Sequence, residues 1–530
     1  MGRDWRDCLW AKRLNRVDAQ PSPAPFLPMT AELKSAVPDL RVVAANEAEV
    51  RADGEYVLYW MVMARRTHDS YALDRAIEWA RALGKPLVVL EALRVAYPWA
   101  SDRFHRFAID AMADNAARFA KAGVTHHPYV EPSPGAGSGL LEALAARACV
   151  VVTDEFPDFF LPRMLAATAP RLPVRGEAID GNGILPLRAA PKAFSHAHHF
   201  RRFIQRELRP HLGRAPVADP LRRLDLPRLA ALPRDILKRW PAASADLLAG
   251  KPGSLDAFPI DHGVPAVDFR GGPEHGRKVL ASFVSDRLQR YAADRNQPQV
   301  AAASGLSPYL HWGFVSPHQV LRDVLNAEGW SPERLGDKPT GKREGWWGVS
   351  PNGEAFLEEF ITWRELSYNT AFRVAGHDEY DSLPAWALAT LKKHGGDARA
   401  DLFTRDQLDA GHSYDRLWNA TQGQLRAEGR IHNYLRIVWG KRFLEWTRTP
   451  REAVEWMLHI NNRWALDGRN PNSASGIFWC MGRYDRAWGP ERPVYGTVRY
   501  VSSTNTARKV RVGDYIERYE PRDAPTRPAG

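Results

Sequence analysis

Four short strand-like runs rich in apolar residues, at 56–63, 86–93, 127–130 and 149–153, alternate with helical patterns at 70–83 and about 103–122. Apolar runs without polar alternation suit strands covered on both faces. The alternation therefore predicts an α/β N-terminal domain with a parallel, doubly wound, Rossmann-like sheet. From His275 onward the period changes. Val279, Leu280, Phe283, Val284, Leu288 and Tyr291 mark one face of a long helix. Further helical stretches at 317–326, 354–372, 386–393, 404–410, 414–428, 432–447 and 450–460 predict an all-α domain with no strand.

A chain of 530 residues has room for several units of the usual ~150 residues. The expected organisation is a partly ordered extension over 1–53 with a proline-rich run at 20–28, and the α/β domain over 54–190. A linker with short helices follows over 191–271, then the helical domain over 272–505 and a tail over 506–530. No stretch reaches the roughly 18 consecutive apolar residues of a membrane span, and the charged start has no signal-peptide core. A cytoplasmic protein with no membrane contact is expected. Cys8, Cys149 and Cys480 lie too far apart for CxxC chemistry, which fits a reducing compartment. His196, His198 and His199, beside Arg201 and Arg202, lack a carboxylate or cysteine at ligand spacing, so no metal site is expected. Gly135, Gly137 and Gly139 are spaced GxGxG, not GxGxxG, and read as a flexible loop.

The charge balance, 73 Lys+Arg against 62 Asp+Glu, permits attraction to a polyanion without requiring it. The 19 tryptophans are more telling, because indoles act as stacking platforms, redox relays or core fillers. In LWNATQGQLRAEGRIHNYLRIVWGKRFLEW, Trp439 and Trp446 are seven residues apart, which on one helix places them about 10 Å apart on nearly one face. That distance suits electron hopping, and the same stripe would equally pack a core. In LDGRNPNSASGIFWCMGRYDRAWGPERPVYG, the turn-rich Asp467–Gly476 segment is the kind that lines ligand sites. It leads into residues 481–511, where seven cations face two acids and Trp479, Tyr484, Trp488, Tyr495 and Tyr500 are interleaved. Cations threaded with aromatics suit phosphate neutralisation with base stacking, and a solvated basic face has the same composition. In SGLSPYLHWG, small hydroxyls at a helix start can hold a diphosphate. In EAFLEEFITWRELSYN, Glu359 and Trp363 share a helix face.

Taken together, SGLSPYLHWG, FLEEFITWREL, LWNATQ, HNYLRIVWGKRFLEW, NNRWALDGRNPN and the WCMGRYDRAWGPERPVYG run resemble the photolyase/cryptochrome flavoprotein family, and most of all the class II cyclobutane pyrimidine dimer photolyases. The likeness covers about residues 276–500. It implies FAD held in the helical domain, UV-damaged DNA as partner, a monomer, and light-driven electron transfer to a dimer flipped out of the duplex. By motif position, Tyr291, Ser304, Leu306, Ser307 and Asn433 would bind FAD. Arg436 and Asp467 would pair beside its ring, with Asn461 at N5. Glu359, protonated, would donate to the dimer carbonyls. Trp363, Trp479 and Tyr434 would line the dimer pocket. Arg486 and Trp488, oriented by Asp485, would fill the gap left in the duplex. Trp439, Trp418 and Trp446 match the class II electron relay. Ile437, Gln319 and Asn462 stand where the family more often has methionine, arginine and aspartate. A second, deazaflavin-type antenna chromophore in the α/β domain is compatible with the likeness. A blue-light photoreceptor (cryptochrome) or a 6-4 photolyase on the same scaffold are the alternative readings.

Overall fold

The computed structural model describes residues 35–524; Cys8 and the proline-rich run lie outside them. Six strands form one sheet in the order β1-β6-β5-β2-β3-β4. They are β1 (Val42–Ala44), β2 (Tyr56–Met61), β3 (Leu87–Leu93), β4 (Thr125–Val130), β5 (Ala148–Glu155) and β6 (Gly176–Asp180). Strands β2 to β6 pair in parallel, and β1 is antiparallel at the edge. Every residue of β2 is buried. Its alternate side chains serve two cores: Val57, Tyr59 and Met61 pack on one face, and Tyr56, Leu58 and Trp60 on the other. The period of two along a strand, with both faces covered, produces this split. The helix Tyr71–Leu83 starts where the Ser70 side chain accepts from the Leu73 amide, and it stops at Gly84 in the left-handed conformation.

Two strands go beyond the expected set. β6 is short and carries Glu177, a poor sign for a buried strand. The carboxylate is fully buried because Arg75 (2.7 Å), Trp79 (2.9 Å) and Arg175 (3.0 Å) all donate to it. β1 falls in the segment expected to be a partly ordered extension, and it pairs Val42 with Ile179. The Gly135–Gly139 loop has its Gly135 and Gly137 amides turned onto the Glu131 carboxylate. That side chain takes the place a phosphate would need.

The helical part begins at Pro273 and contains no strand among the described residues. The long helix expected there is interrupted. An α-helix spans Pro273–Ser282, a π turn Phe283–Arg287 and a 3-10 turn Leu288–Arg290 before Tyr291–Asp294. The stretch expected as one helix over 354–372 is likewise α over Pro351–Leu357, π over Glu358–Trp363 and α over Arg364–Arg373. At the other end, the region expected as a tail contains the helices Ser503–Lys509 and Gly513–Tyr519. The second of these packs on Arg416–Glu428, where the Tyr515 hydroxyl donates to Gln424 at 2.8 Å.

The sheet and the helices dock through buried cations. Arg103, 1% exposed, donates to the carbonyls of Pro265, Leu425, Arg426 and Trp464. It thereby caps the C-terminal ends of two helices, where carbonyls lack partners. Desolvation lowers its pKa to about 10. At Gly313 (φ +69) the backbones come so close that a Cβ would lie 1.7 Å from the Met63 carbonyl oxygen, and Arg66 donates to the Gly313 carbonyl at 2.8 Å. Among the described residues, no helix is long and apolar enough to cross a membrane.

Candidate functional site

Glu359 and Trp363 both lie in the π turn Glu358–Trp363, and such turns concentrate at functional sites. The turn is held from outside by Arg201, whose Nε donates to the buried Glu358 at 2.8 Å. The next residue, Glu359, forms an ion pair with Arg295 at 2.5 Å. In the structure Glu359 Oε1 is the acceptor of a guanidinium N–H. Tyr291 lies under the same pair, between Phe283 and Phe356, with the Arg295 guanidinium 5.7 Å from its ring. Burial, and secondarily the Glu359 charge, push its phenol up to about 12.

The 3-10 and π turns aim Arg287 and Arg290 at the loop that carries Ser304, Leu306 and Ser307. Arg287 donates to Ala303 (2.9 Å) and Val279 (3.2 Å), and Arg290 to Ala301 (3.2 Å). A Cβ on Gly305 would lie 3.7 Å from Arg430 Nη1 and 4.0 Å from Arg287 Nη1. Arg287 Nε is buried without a hydrogen-bond partner. Desolvation lowers the Arg287 pKa, and crowding by Arg430 and Arg290 adds to it. Two guanidiniums around a glycine turn, one with an unpaired donor, are the counter-charge that a dinucleotide diphosphate would need. The Ser304 hydroxyl turns back to accept from the Leu306 amide at 3.3 Å.

A third cluster joins three helices. Arg436 donates to Asn461 Oδ1 at 3.0 Å and pairs with Asp467 at 3.3 Å. The fully buried Asn461 then donates to Ser473 at 2.6 Å. Asn461 is thus fixed in orientation by three partners, Arg436, Ser473 and Asn462, the last at 3.3 Å. Asn462 accepts from the Arg469 amide at 2.9 Å and so shapes the Asp467–Asn470 turn. Asn433 is exposed at the start of the helix Asn433–Trp446, and Tyr434 beside it is half-buried. The neighbouring His432 imidazole is driven to about 4 by burial and stays neutral near pH 7.

Trp363 and Trp479 are half-buried against one core cluster. Tyr484 ties their helices together: it packs edge-on to Trp363 (6.4 Å) and hydrogen-bonds Thr370 (2.7 Å) and Ser475 (3.1 Å). Behind Trp479 lie Lys441 Nζ at 5.7 Å and the Arg499 guanidinium at 5.3 Å. Asp485 receives the Arg486 amide (2.9 Å), the Trp488 indole N–H (3.1 Å) and Arg499 (2.9 Å). Arg486 and Arg499 sandwich Trp488 at 4.4 and 4.2 Å. Asp485, Arg486 and Trp488 are therefore one assembled unit at the surface.

Trp439, Trp418 and Trp446 are all buried to 1% exposure or less. The direct step from Trp439 to Trp446 drawn from helix spacing is not the packing found. Trp418, from the neighbouring helix, is inserted between them: its indole N–H donates to the Trp439 carbonyl (2.9 Å), and its ring meets Trp446 at 5.2 Å. Phe443 touches both Trp439 (4.8 Å) and Trp418 (5.7 Å).

Several participants are given no role by the sequence. Arg295 lies outside every motif, Arg201 stands only as a cation beside the histidine run, and Lys441 is one cation within HNYLRIVWGKRFLEW; folding brings them to the site. Arg499 was visible only as one cation of a basic run.

A parallel sheet joined to a helical bundle that holds these clusters defines a protein of the photolyase/cryptochrome class. Two solved structures share the fold. A class III photolyase from Agrobacterium tumefaciens superposes with a TM-score of 0.63 over 88% of this chain and 86% of that one, at 18% identity. A cryptochrome from Synechocystis gives 0.61 over 88% of each chain, at 16% identity. No family model matches the sequence. It is 32% identical to the deoxyribodipyrimidine photo-lyase of Methanothermobacter thermautotrophicus over 90% of this chain and 97% of that protein. It is 28% identical to the same-named protein of Potorous tridactylus over 90% and 84%. The chain belongs to the deoxyribodipyrimidine photo-lyase family and is an enzyme of it.

Proposed function

We propose that this protein repairs UV-damaged DNA by light-driven electron transfer from reduced FAD to a flipped-out cyclobutane pyrimidine dimer, which splits into its pyrimidines as the electron returns. The observation that carries this reading is that Arg436, Asp467 and Asn461 share a helix contact with the wall that bears Trp479: Gly476, on the Trp479 helix, would place a Cβ 3.8 Å from Arg436 Cδ. Bound FAD supplies the photochemical electron. Arg287, Arg430 and the Ser304–Ser307 loop would hold its diphosphate, Tyr291 and Asn433 the rest of that arm, and Arg436, Asp467 and Asn461 its ring.

Trp363, Trp479 and Tyr434 receive the dimer and exclude water from it. Glu359 and Arg295 act as one unit. The guanidinium keeps the carboxyl in place and adds positive charge where negative charge develops on the dimer carbonyls. Arg486 and Trp488, fixed by Asp485, occupy the gap in the duplex, and the Trp439–Trp418–Trp446 chain resupplies electrons. The crevice above β2 and β5, where the strand order reverses, is lined by Arg66, Arg364, His311 and Asn182.

The test is anaerobic illumination of the photoreduced holoenzyme with an oligonucleotide containing one dimer. Intact pyrimidines form only in the light, and Glu359→Ala lowers the yield while flavin stays bound. Restoration of an oligonucleotide carrying a 6-4 photoproduct instead would replace the substrate. Tight binding of damaged DNA with no restoration of either lesion would favour the cryptochrome reading.

A further inference from the structure

Trp446, the outermost indole of the relay, is 1% exposed and cannot itself meet a donor in solvent. The group that covers it is Tyr414. Trp446 Nε1 donates to the Tyr414 hydroxyl at 3.2 Å, and the two rings stand 5.8 Å apart, nearly perpendicular. Phe403 closes the third side, 5.2 Å from Trp446 and 5.7 Å from Tyr414. Tyr414 is half-buried, so one side of it reaches the surface. Charges nearby are Arg442, which faces the Trp446 ring at 5.6 Å, and its partners Asp415 and Glu445.

We propose that Tyr414 is the terminal electron donor of the relay, releasing its phenolic proton to solvent. The proposal rests on the reading of Trp439, Trp418 and Trp446 as a relay. Once Trp446 has passed an electron inward it is an indole radical cation. Tyr414 gives it one electron, the phenolic O–H bond breaks, and the proton passes to water at the exposed side of the ring. The products are a neutral indole, a neutral tyrosyl radical and a hydrated proton. A positive charge in an apolar interior is costly, and this step removes it. A small thiol in solution then transfers a hydrogen atom to the phenoxyl oxygen and becomes a thiyl radical, two of which combine as disulfide.

The experiment uses the holoenzyme with oxidised flavin, flash-illuminated without thiol, with the radical read by electron paramagnetic resonance. The trapped radical is expected to be tyrosyl and to narrow when the protein carries ring-deuterated tyrosine. In Tyr414→Phe, which removes only the hydroxyl, the radical is expected to be tryptophanyl and indifferent to that label, and thiol-dependent flavin photoreduction falls severalfold. A wild-type signal unaffected by the tyrosine label, or photoreduction at the wild-type rate in Tyr414→Phe, overturns the proposal. Trp418→Phe separates the two levels. If it abolishes photoreduction while no tyrosyl radical forms in wild type, the relay stands and Tyr414 is excluded. If it leaves photoreduction intact, the relay reading itself fails, and the proposal with it.

Discussion

Replacing Lys441 by methionine is expected to remove a pH-dependent penalty on stability. The lysine is 1% exposed, donates to the Cys480 carbonyl at 2.5 Å and has no carboxylate in contact. Burial lowers its pKa from 10.5 to about 8, with Cys480 and Asp485 opposing the shift. In the unfolded chain the amine titrates at its ordinary value, so between about pH 8 and 10.5 the unfolded state binds more protons. Stability must therefore rise with pH across that window. Below it the penalty is fully present, and at about 1.4 kcal/mol per pKa unit it amounts to about 3 kcal/mol. Lys441→Met has no such penalty, but it leaves the Cys480 carbonyl without its donor, a cost of about 1–3 kcal/mol that does not vary with pH. The assay is urea unfolding of wild type and variant at steps from pH 7 to 10.5. The difference between them should move by about 3 kcal/mol in favour of wild type as pH rises. A difference that stays constant across the range would show that the amine is not buried as a cation, and the reasoning would fail. The buried cation behind Trp479 would then have to be withdrawn as well.

Three further outcomes follow from the geometry. Trp488→Ala should weaken binding of dimer-containing duplex by about 1–3 kcal/mol, the usual value of one aromatic stacking platform, and should weaken single-stranded DNA less; equal losses on both would exclude a role in filling the duplex gap. Asp467→Asn leaves the Arg436 guanidinium without its carboxylate and should lower flavin retention on gel filtration, whereas unchanged retention would remove the pair from the flavin site. Gly423→Ala drives a Cβ to 1.8 Å from the Tyr519 carbonyl oxygen. Strain of this kind typically costs about 1–3 kcal/mol, and release of the helix Gly513–Tyr519 would appear as new protease cleavage near residue 512.

Much of the architecture was legible because it is written in local periodicity. Strands β2, β3, β4 and β5 coincide with the apolar runs, and the Ser70 cap and the Gly84 stop bound the first helix as their chemistry requires. Of the site, Arg436, Asp467 and Asn461 converge as the motif likeness implied, and Asp485, Arg486 and Trp488 form one unit. β6 escaped notice because Glu177 looks like a surface residue until Arg75, Trp79 and Arg175 surround it. The interrupted helices escaped because a π turn retains helical periodicity on either side of the break.

What the chain's linear order determined by itself is the alternation of strand and helix, the change to an all-helical second half, and the residue types available for flavin, DNA and electron transfer. Periodicity and motif spacing are properties of neighbours along the backbone, so a single sequence contains them. Tertiary structure alone decided that Trp418 stands between Trp439 and Trp446, that Glu359 is paired to Arg295, and that Lys441 and Arg499 back Trp479. Those contacts join side chains tens of residues apart. Their distances and charge states come from burial and packing, which no local pattern encodes.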